Sequence, residues 1–167
     1  MYNSHTWLSL LERRLRTLAN TVRAEWGIHV RFLNGGEQIS IEADRSHDTM
    51  STIKIPILVT LMRAVEEGQA DLSRQVTLDD RHRRLGTGVL CLFDEGAIFT
   101  IKDAAWLMTI ISDNTATDIC LEAAGGVDAV NKTMGMLGLD DIRMTGDALT
   151  WFRALASSMD PAMSDIA

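Results

Sequence analysis

Two short alternating runs joined by a glycine turn predict a β-hairpin near the start of this chain. Residues 28–32 alternate apolar and polar side chains, and residues 39–43 do so again after Asn34-Gly35-Gly36, as two antiparallel strands do. A two-stranded hairpin is marginal in water and has two open edges, and no later segment is a convincing partner strand. Either helices therefore cover the hairpin, or further strands come from outside this chain.

Most of the remaining sequence is predicted to be helical. Leucines that step by three and four from Leu8 to Leu18 form an apolar stripe, which predicts a helix that ends by Gly27 and covers one face of the hairpin. Thr100 and Asp103 form a capping box that opens an apolar helix up to Ile111. The other predicted elements are helices over Ser51–Glu67, Asn114–Gly125, Val127–Leu137 and Asp147–Ser158, and a short extended segment over Gln75–Leu78.

Composition indicates a single globular domain over residues 1–167. The chain has 167 residues, of which 46% are hydrophobic and 23% charged, with a net charge of −7 and a pI near 5.0. This acidic balance argues against nucleic-acid binding, which requires a basic face. No stretch approaches the roughly 20 apolar residues of a membrane span, so no membrane partner is expected. Arginines between residues 13 and 23 interrupt any signal peptide, which predicts a cytoplasmic location if Met1 is the native start.

One basic cluster and two cysteines can be interpreted only from their immediate neighbours in the sequence. Residues 81–84 read Arg-His-Arg-Arg, and we interpret them as a solvated loop, with an anion or partner contact as the alternative. Cys91 and Cys120 lack the close spacing of a zinc site. Both cysteines adjoin apolar residues, which favours buried free thiols, although their spacing leaves a disulfide open.

Ser51-Thr52-Ile53-Lys54 is the strongest local candidate for a catalytic site. At a helix start, Ser51 lies among free backbone N–H groups and at the positive end of the helix dipole. Lys54 follows at i+3 on the same face, where a dry environment favours loss of its proton and lets it act as a base toward the serine. The alternative is a serine that caps the helix, followed by a surface lysine.

Ser112-Asp113-Asn114 is a second candidate, on a turn between two predicted helices. A hydroxyl, a carboxylate and an amide on a turn can face a cleft without disturbing a core. The alternative is that Asp113 or Asn114 only caps the following helix.

Together the two motifs resemble those of class A β-lactamases and penicillin-binding proteins. S-x-x-K is followed 61 residues later by S-D-N, in the order that this family of serine hydrolases uses. The neighbouring residues 55–58 and 115–117 are similar as well, and the resemblance runs from Leu8 to Arg143. It implies an α/β (α+β) fold of the β-lactamase/transpeptidase type, here the helical lobe with an N-terminal helix and a two-stranded hairpin. Members of the family are mostly periplasmic or secreted.

The resemblance also implies a role for each candidate residue. Ser51 is the nucleophile that forms an acyl-enzyme, and its backbone N–H is half of the oxyanion hole. Lys54 takes part in activating Ser51. Ser112 passes a proton to the leaving nitrogen, and Asn114 holds Lys54 and the substrate amide. Residues 87–90 are expected to form a wall of the cleft.

The third motif of the family, K-T-G, is absent. Lys132-Thr133-Met134 is a near match inside a predicted helix rather than on a strand, and we interpret it as coincidence. In the family that strand lies further beyond S-D-N than this chain extends, and it supplies the second oxyanion donor and part of the carboxylate site. We therefore expect an incomplete domain, whose C-terminal strands come from a missing segment or a second chain, and poor catalysis by this chain alone.

A deacylating glutamate, which class A enzymes carry in an E-x-x-L-N context, is also absent. The corresponding place falls near Ala148, and no glutamate follows Glu122. Asp147 is one residue away, and we interpret it as the N-cap of the last helix. Acylation is therefore expected to be retained, and deacylation to be slow or to use another route.

The sequence predicts a serine hydrolase that transfers the acyl group of a small amide or ester, such as a β-lactam, through Ser51, and this chemistry is expected to need no metal and no organic cofactor. Two rivals remain open: a non-catalytic protein that binds a ligand or partner on the same fold, and a transpeptidase-like protein that traps its acyl group. Geometry discriminates between them. The enzyme requires Ser51, Lys54, Ser112 and Asn114 to converge, whereas a binding protein would allow Lys54 to be paired elsewhere.

Overall fold

A computed structural model describes residues 4–159 of the chain. These residues divide between Asp48 and Thr49 into two compact units. That the whole chain is one incomplete domain stays a prediction.

The first unit consists of one helix and the expected hairpin. Its elements are α1 (Ser4–Ala19), β1 (Ile28–Arg31) and β2 (Gln38–Ile41). The strands are antiparallel, with Ile28 opposite Ile41, so the hairpin prediction is confirmed. Helix α1 contacts β2, and the ring of Trp7 meets that of Phe32 edge to face at 4.7 Å between centroids. The helix therefore covers the hairpin as expected, although it ends at Ala19, well before Gly27.

The second unit is mostly helical. A 3₁₀ turn over Met50–Ile53 is followed by α2 (Lys54–Glu66), β3 (Gln75–Thr77), β4 (Ile98–Thr100), α3 (Ile101–Ile110), α4 (Asn114–Ala123), α5 (Gly126–Met136) and α6 (Ala148–Met159). Strands β3 and β4 pair with each other, with Val76 opposite Phe99. Within residues 4–159, no third strand joins either two-stranded sheet.

Helices α2 to α5 enclose the core of the second unit. Ile57, Leu61, Met108, Ile119 and Val130 are among its fully or almost fully buried side chains. Thr100 caps α3 through the capping box that the sequence predicts, because its hydroxyl accepts from the backbone N–H of Asp103. No helix in residues 4–159 is both long enough and apolar enough to cross a membrane.

The local interpretation of the basic cluster was wrong, and that of the cysteines was right in part. Arg83 is half-buried and donates to the carbonyl oxygens of Cys91 and Phe93, and Arg84 is paired inside the fold, so Arg81 is the one arginine of the cluster that is largely exposed. These partners are distant in sequence, which is why the local pattern did not indicate them. Both cysteines are free thiols; Cys120 is buried as expected, and Cys91 is half-buried.

Candidate active site

Ser51 lies in the 3₁₀ turn directly before α2, and its side chain is exposed. The predicted helix therefore begins as a tighter turn and becomes α-helical only at Lys54. Pro56 explains this start, because proline has no N–H to donate and its ring is tolerated only in the first helical turn. Met50 enters the turn with a φ of +47°, an uncommon conformation for a residue with a side chain.

Lys54 directs its ammonium group into a cluster of oxygens. Its Nζ lies 2.7 Å from Ser112 Oγ, 2.8 Å from Ser112 O, 2.9 Å from Asn114 Oδ1 and 3.3 Å from Ser51 Oγ. Ser112 Oγ is also 3.0 Å from Ser51 Oγ. The structure thus brings together the four residues that the sequence singled out, from the 3₁₀ turn, α2, the α3–α4 connection and the start of α4.

The chemistry of these oxygens favours a particular arrangement of protons. The Ser112 carbonyl and the Asn114 amide oxygen can only accept hydrogen bonds, whereas the two hydroxyls can also donate. A neutral amine can donate to the two obligate acceptors and direct its lone pair at a hydroxyl. Lys54 is therefore surrounded by groups that suit its neutral form as well as its charged form.

Burial acts in the same direction. Lys54 is 8% exposed, and burial lowers its pKa from the ordinary value of 10.5, while the negative charges of Asp113 and Asp118 oppose that shift. A lysine with a lowered pKa can take a proton from a hydroxyl that it contacts.

The buried carboxylate of Asp113 holds the Ser112-Asp113-Asn114 turn in place through hydrogen bonds. Ser112 has a φ of +60°, and Asp113 is fully buried. One oxygen of Asp113 caps α4 by accepting from the Ala116 N–H at 2.9 Å. The other accepts from the N–H groups of Val89 and Leu90 at 2.7 and 2.9 Å. The capping alternative was therefore correct for Asp113, and it coexists with the convergence of Ser112 and Asn114 on Lys54.

Residues 85–90 lie against this turn, where the resemblance placed a wall of the cleft. The Asn114 side-chain amide donates to Leu85 O at 2.9 Å, and its backbone N–H donates to Thr87 O at 2.8 Å. Gly88 has a φ of +131°, and a Cβ there would come within 2.4 Å of the Asp113 carboxylate. Glycine is thus required for the close approach of this loop to the site.

Asp147, next to Ala148, is engaged by a neighbouring residue of α6. Asp147 accepts from the backbone N–H and the hydroxyl of Thr150 at 2.7 and 2.6 Å, so its interpretation as the N-cap of α6 is confirmed. Lys132-Thr133-Met134 lies inside α5, and Thr133 is buried, as expected for a coincidental match.

Sequence reasoning missed a buried ion pair next to the site, between Arg84 and Asp118 at 2.5 Å. The two residues are 34 positions apart, and no local pattern relates them. The same residues border a cavity of about 500 Å³, which also involves Glu122 and Asp147 and to which Ser51 and Lys54 do not contribute.

A serine, a buried lysine, a second serine and an asparagine in this arrangement are the residues of the S-x-x-K and S-D-N motifs of the β-lactamase class of proteins. The chain belongs to the Beta-lactamase enzyme family, whose model matches residues 10–162.

Known relatives include enzymes and a regulatory protein. A β-lactamase of Sphaerobacter thermophilus DSM 20745 is 30% identical, with a TM-score of 0.76 over 82% of this chain and 51% of that one. PBP-A is 27% identical, with a TM-score of 0.76 over 84% of this chain and 53% of that one. The β-lactamase regulatory protein BlaB of Streptomyces cacaoi is 28% identical over 123 residues, which are 73% of this chain and 38% of BlaB. The chain thus spans about half the length of these solved relatives.

Proposed function

We propose that this chain transfers acyl groups through Ser51, with a small amide or ester, and in particular a β-lactam, as the substrate class. The observation that carries the proposal is the position of Lys54 Nζ, which is buried and lies within 3.3 Å of the hydroxyls of both Ser51 and Ser112. A surface lysine beside a capping serine would have no reason to be buried among these groups.

The proposed reaction begins with attack by Ser51 Oγ on the substrate carbonyl carbon. The serine proton moves to Lys54 Nζ, and the backbone N–H of Ser51 stabilises the oxyanion of the tetrahedral intermediate. The C–N bond then breaks, and a proton passes from Lys54 through Ser112 to the leaving nitrogen. Hydrolysis of the resulting Ser51 ester by water would release the acid and regenerate the serine.

A long-lived acyl-enzyme follows from what surrounds Ala148. No glutamate follows Glu122 in the chain, and Asp147 is engaged with Thr150. Without a glutamate at this position to activate water, the ester on Ser51 is expected to persist. A solved mutant of PBP-A is described as an acyl-enzyme complex with penicillin G, which supports penicillin as the probe.

The second candidate is a regulatory or binding role without turnover. It is favoured by the similarity to BlaB, which is described as a β-lactamase regulatory protein. A protein that traps an acyl group and a protein that only binds a ligand both fit this role, and covalent labelling of Ser51 separates them.

We also propose that a second chain or a further C-terminal segment completes the sheet and the site. Within residues 4–159 the outer edges of β1 and β2 are unpaired, and the solved relatives are about twice as long as this chain. The second oxyanion donor of the family would come from that part.

The test is the intact mass of the chain before and after incubation with benzylpenicillin, followed by peptide mapping. An adduct of one penicillin on the Ser51 peptide, absent in Ser51→Ala and present in the neighbouring control Thr52→Ala, is the expected result. A persistent adduct favours an acyl trap over a turning-over enzyme. No adduct in the folded chain would reject acyl transfer by this chain and favour the non-catalytic role.

A further inference from the structure

A buried ion pair lies one helical turn beyond Asn114 along α4. Arg84 Nε is 2.5 Å from Asp118 Oδ2, and the two side chains are 14% and 9% exposed. A buried pair of this kind is weak evidence for stability, because removing two charges from water costs about as much as their attraction returns. Its position next to the candidate site therefore requires a different explanation.

Further hydrogen bonds connect Arg84 to the start of α4 and Asp118 to the start of α6. The backbone N–H of Arg84 donates to Thr115 Oγ1 at 3.0 Å, and the next residue, Leu85, accepts from the Asn114 side-chain amide at 2.9 Å. The second oxygen of Asp118 accepts from the N–H of Ala148 at 3.0 Å. Asp118 thus joins α4 both to the segment that orients Asn114 and to the start of α6.

We propose that Asp118, together with Arg84, is a positioning residue for Lys54 and Asn114. The pair holds the Leu85 carbonyl against the Asn114 amide, so that the amide oxygen faces Lys54. The same carboxylate sets the electrostatic environment of the amine. The inference deepens the proposed function and rests on it only where it concerns acyl transfer. The titration of Lys54 can be measured in a chain that is never acylated.

Several other charged groups lie around the pair. Burial raises the pKa of Asp118, and its hydrogen bonds from Ala148 and Arg84 oppose that rise, as does the positive charge of Arg84. Asp147, at the start of α6, contributes a further rise. Arg81, His82 and Glu122 border the same cavity.

Lys54 is affected by Asp118 through space. Burial lowers the pKa of Lys54, and the charges of Asp113 and Asp118 limit that decrease. Removing the Asp118 charge is therefore expected to lower the pKa of Lys54 further. Removing Arg84 leaves the Asp118 charge without its counter-ion and is expected to raise the pKa of Lys54.

The experiment follows Lys54 by NMR in chains labelled with ¹³C at the lysine Cε. The chain has only three lysines, and the other two, Lys102 and Lys132, are exposed and serve as internal references. Lys54→Met identifies the signal. The variants are Asp118→Asn and Arg84→Gln. Glu122→Gln is the matched control, because it removes a carboxylate from the same helix and the same cavity border.

The expected result is a shift of the Lys54 titration to lower pH in Asp118→Asn and to higher pH in Arg84→Gln, with no change in Glu122→Gln. General loosening of the site would move both variants in one direction, which would overturn the proposal. An unchanged Lys54 titration in a folded variant would overturn it too. Failure of either variant to fold would assign the pair to stability and reject the positioning role.

The penicillin reaction of the unsubstituted chain separates this inference from the proposed function. Opposite shifts in a chain that penicillin does not label would retain the electrostatic role of the pair and reject acyl transfer. Labelling of Ser51 together with an unmoved Lys54 titration would reject the role of the pair alone.

Discussion

The position of Lys54 is not explained by the stability of its helix. A lysine at the start of a helix gains nothing from the dipole, because the positive end of the helix repels its charge. Burial adds a desolvation penalty to the charged form. The hydrogen bonds to Ser112 and Asn114 compensate for both effects, which identifies the amine as the group around which this region is arranged.

The first prediction at the residue scale concerns pH. Because acylation requires the neutral amine, its rate is expected to rise with pH through the pKa of Lys54, which lies below the ordinary value of 10.5. Lys54→Met is expected to lower the second-order rate of Ser51 acylation about 10²–10⁴-fold, the usual contribution of a general base, and to abolish this limb. Intact-mass kinetics with benzylpenicillin measure both. A pH-independent rate in the unsubstituted chain would contradict the assignment of Lys54 as the base.

At the scale of elements, backbone groups of the loop that carries Gly86 and Gly88 form hydrogen bonds with Asp113 and Asn114 at the start of α4. Asp113 accepts from two of its N–H groups, and Asn114 contacts two of its carbonyl oxygens. The loop can form these hydrogen bonds only if no side chain separates its backbone from Asp113 and Asn114.

Substitution of Gly88 tests that dependence. Gly88→Ala would place a Cβ 2.4 Å from the Asp113 carboxylate at a φ of +131°, whereas Gly96→Ala adds a Cβ in open space at a φ of +85°. We expect a loss of about 1 kcal/mol for the Gly96 variant, from backbone strain alone, and about 3 kcal/mol or more for the Gly88 variant. Urea unfolding measures the difference. Equal losses would show that the approach to Asp113 is not constrained.

The elements that were predictable are those with strong local signals. The capping box of Thr100 and Asp103 marked the start of α3, and Asn34-Gly35-Gly36 marked the hairpin turn. Strand β4 was missed because its three residues are too few to show a period, and the pairing with β3 forms across a long separation. The sequence predicts an α-helix from Ser51 because a single 3₁₀ turn at a helix start has backbone dihedral angles close to those of the α-helix that follows it.

The candidate site was predictable for a different reason. Ser51, Lys54, Ser112 and Asn114 occur in two short motifs whose order and context are specific. Arg84 and Asp118 form no motif, because an ion pair between distant segments leaves no periodic or local trace in a sequence. Their contribution could be recognised only once α4 and residues 81–88 were seen together.

At the scale of the whole molecule, the candidate site residues have come together, whereas the sheet of the first unit has only two strands within residues 4–159. The second unit brings Ser51, Lys54 and Ser112 together within residues 51–114. The hairpin of the first unit, by contrast, has no additional strand within residues 4–159. The four candidate residues thus come together without a larger sheet in the described part of the chain. The proposed activity of the chain alone depends on whether its oxyanion hole has one hydrogen-bond donor or two.

The last prediction compares this chain with a longer relative. Loss of one oxyanion donor typically costs 10²–10³ in rate, so the chain alone is expected to be acylated by benzylpenicillin about 10²–10³-fold more slowly than PBP-A, measured side by side by intact mass. Ser51→Ala should remove the remaining labelling, which separates a slow specific reaction from nonspecific acylation. Rapid acylation and full turnover by the 167-residue chain would mean that its oxyanion hole is complete, and the proposed second chain or further segment would then be unnecessary for the chemistry.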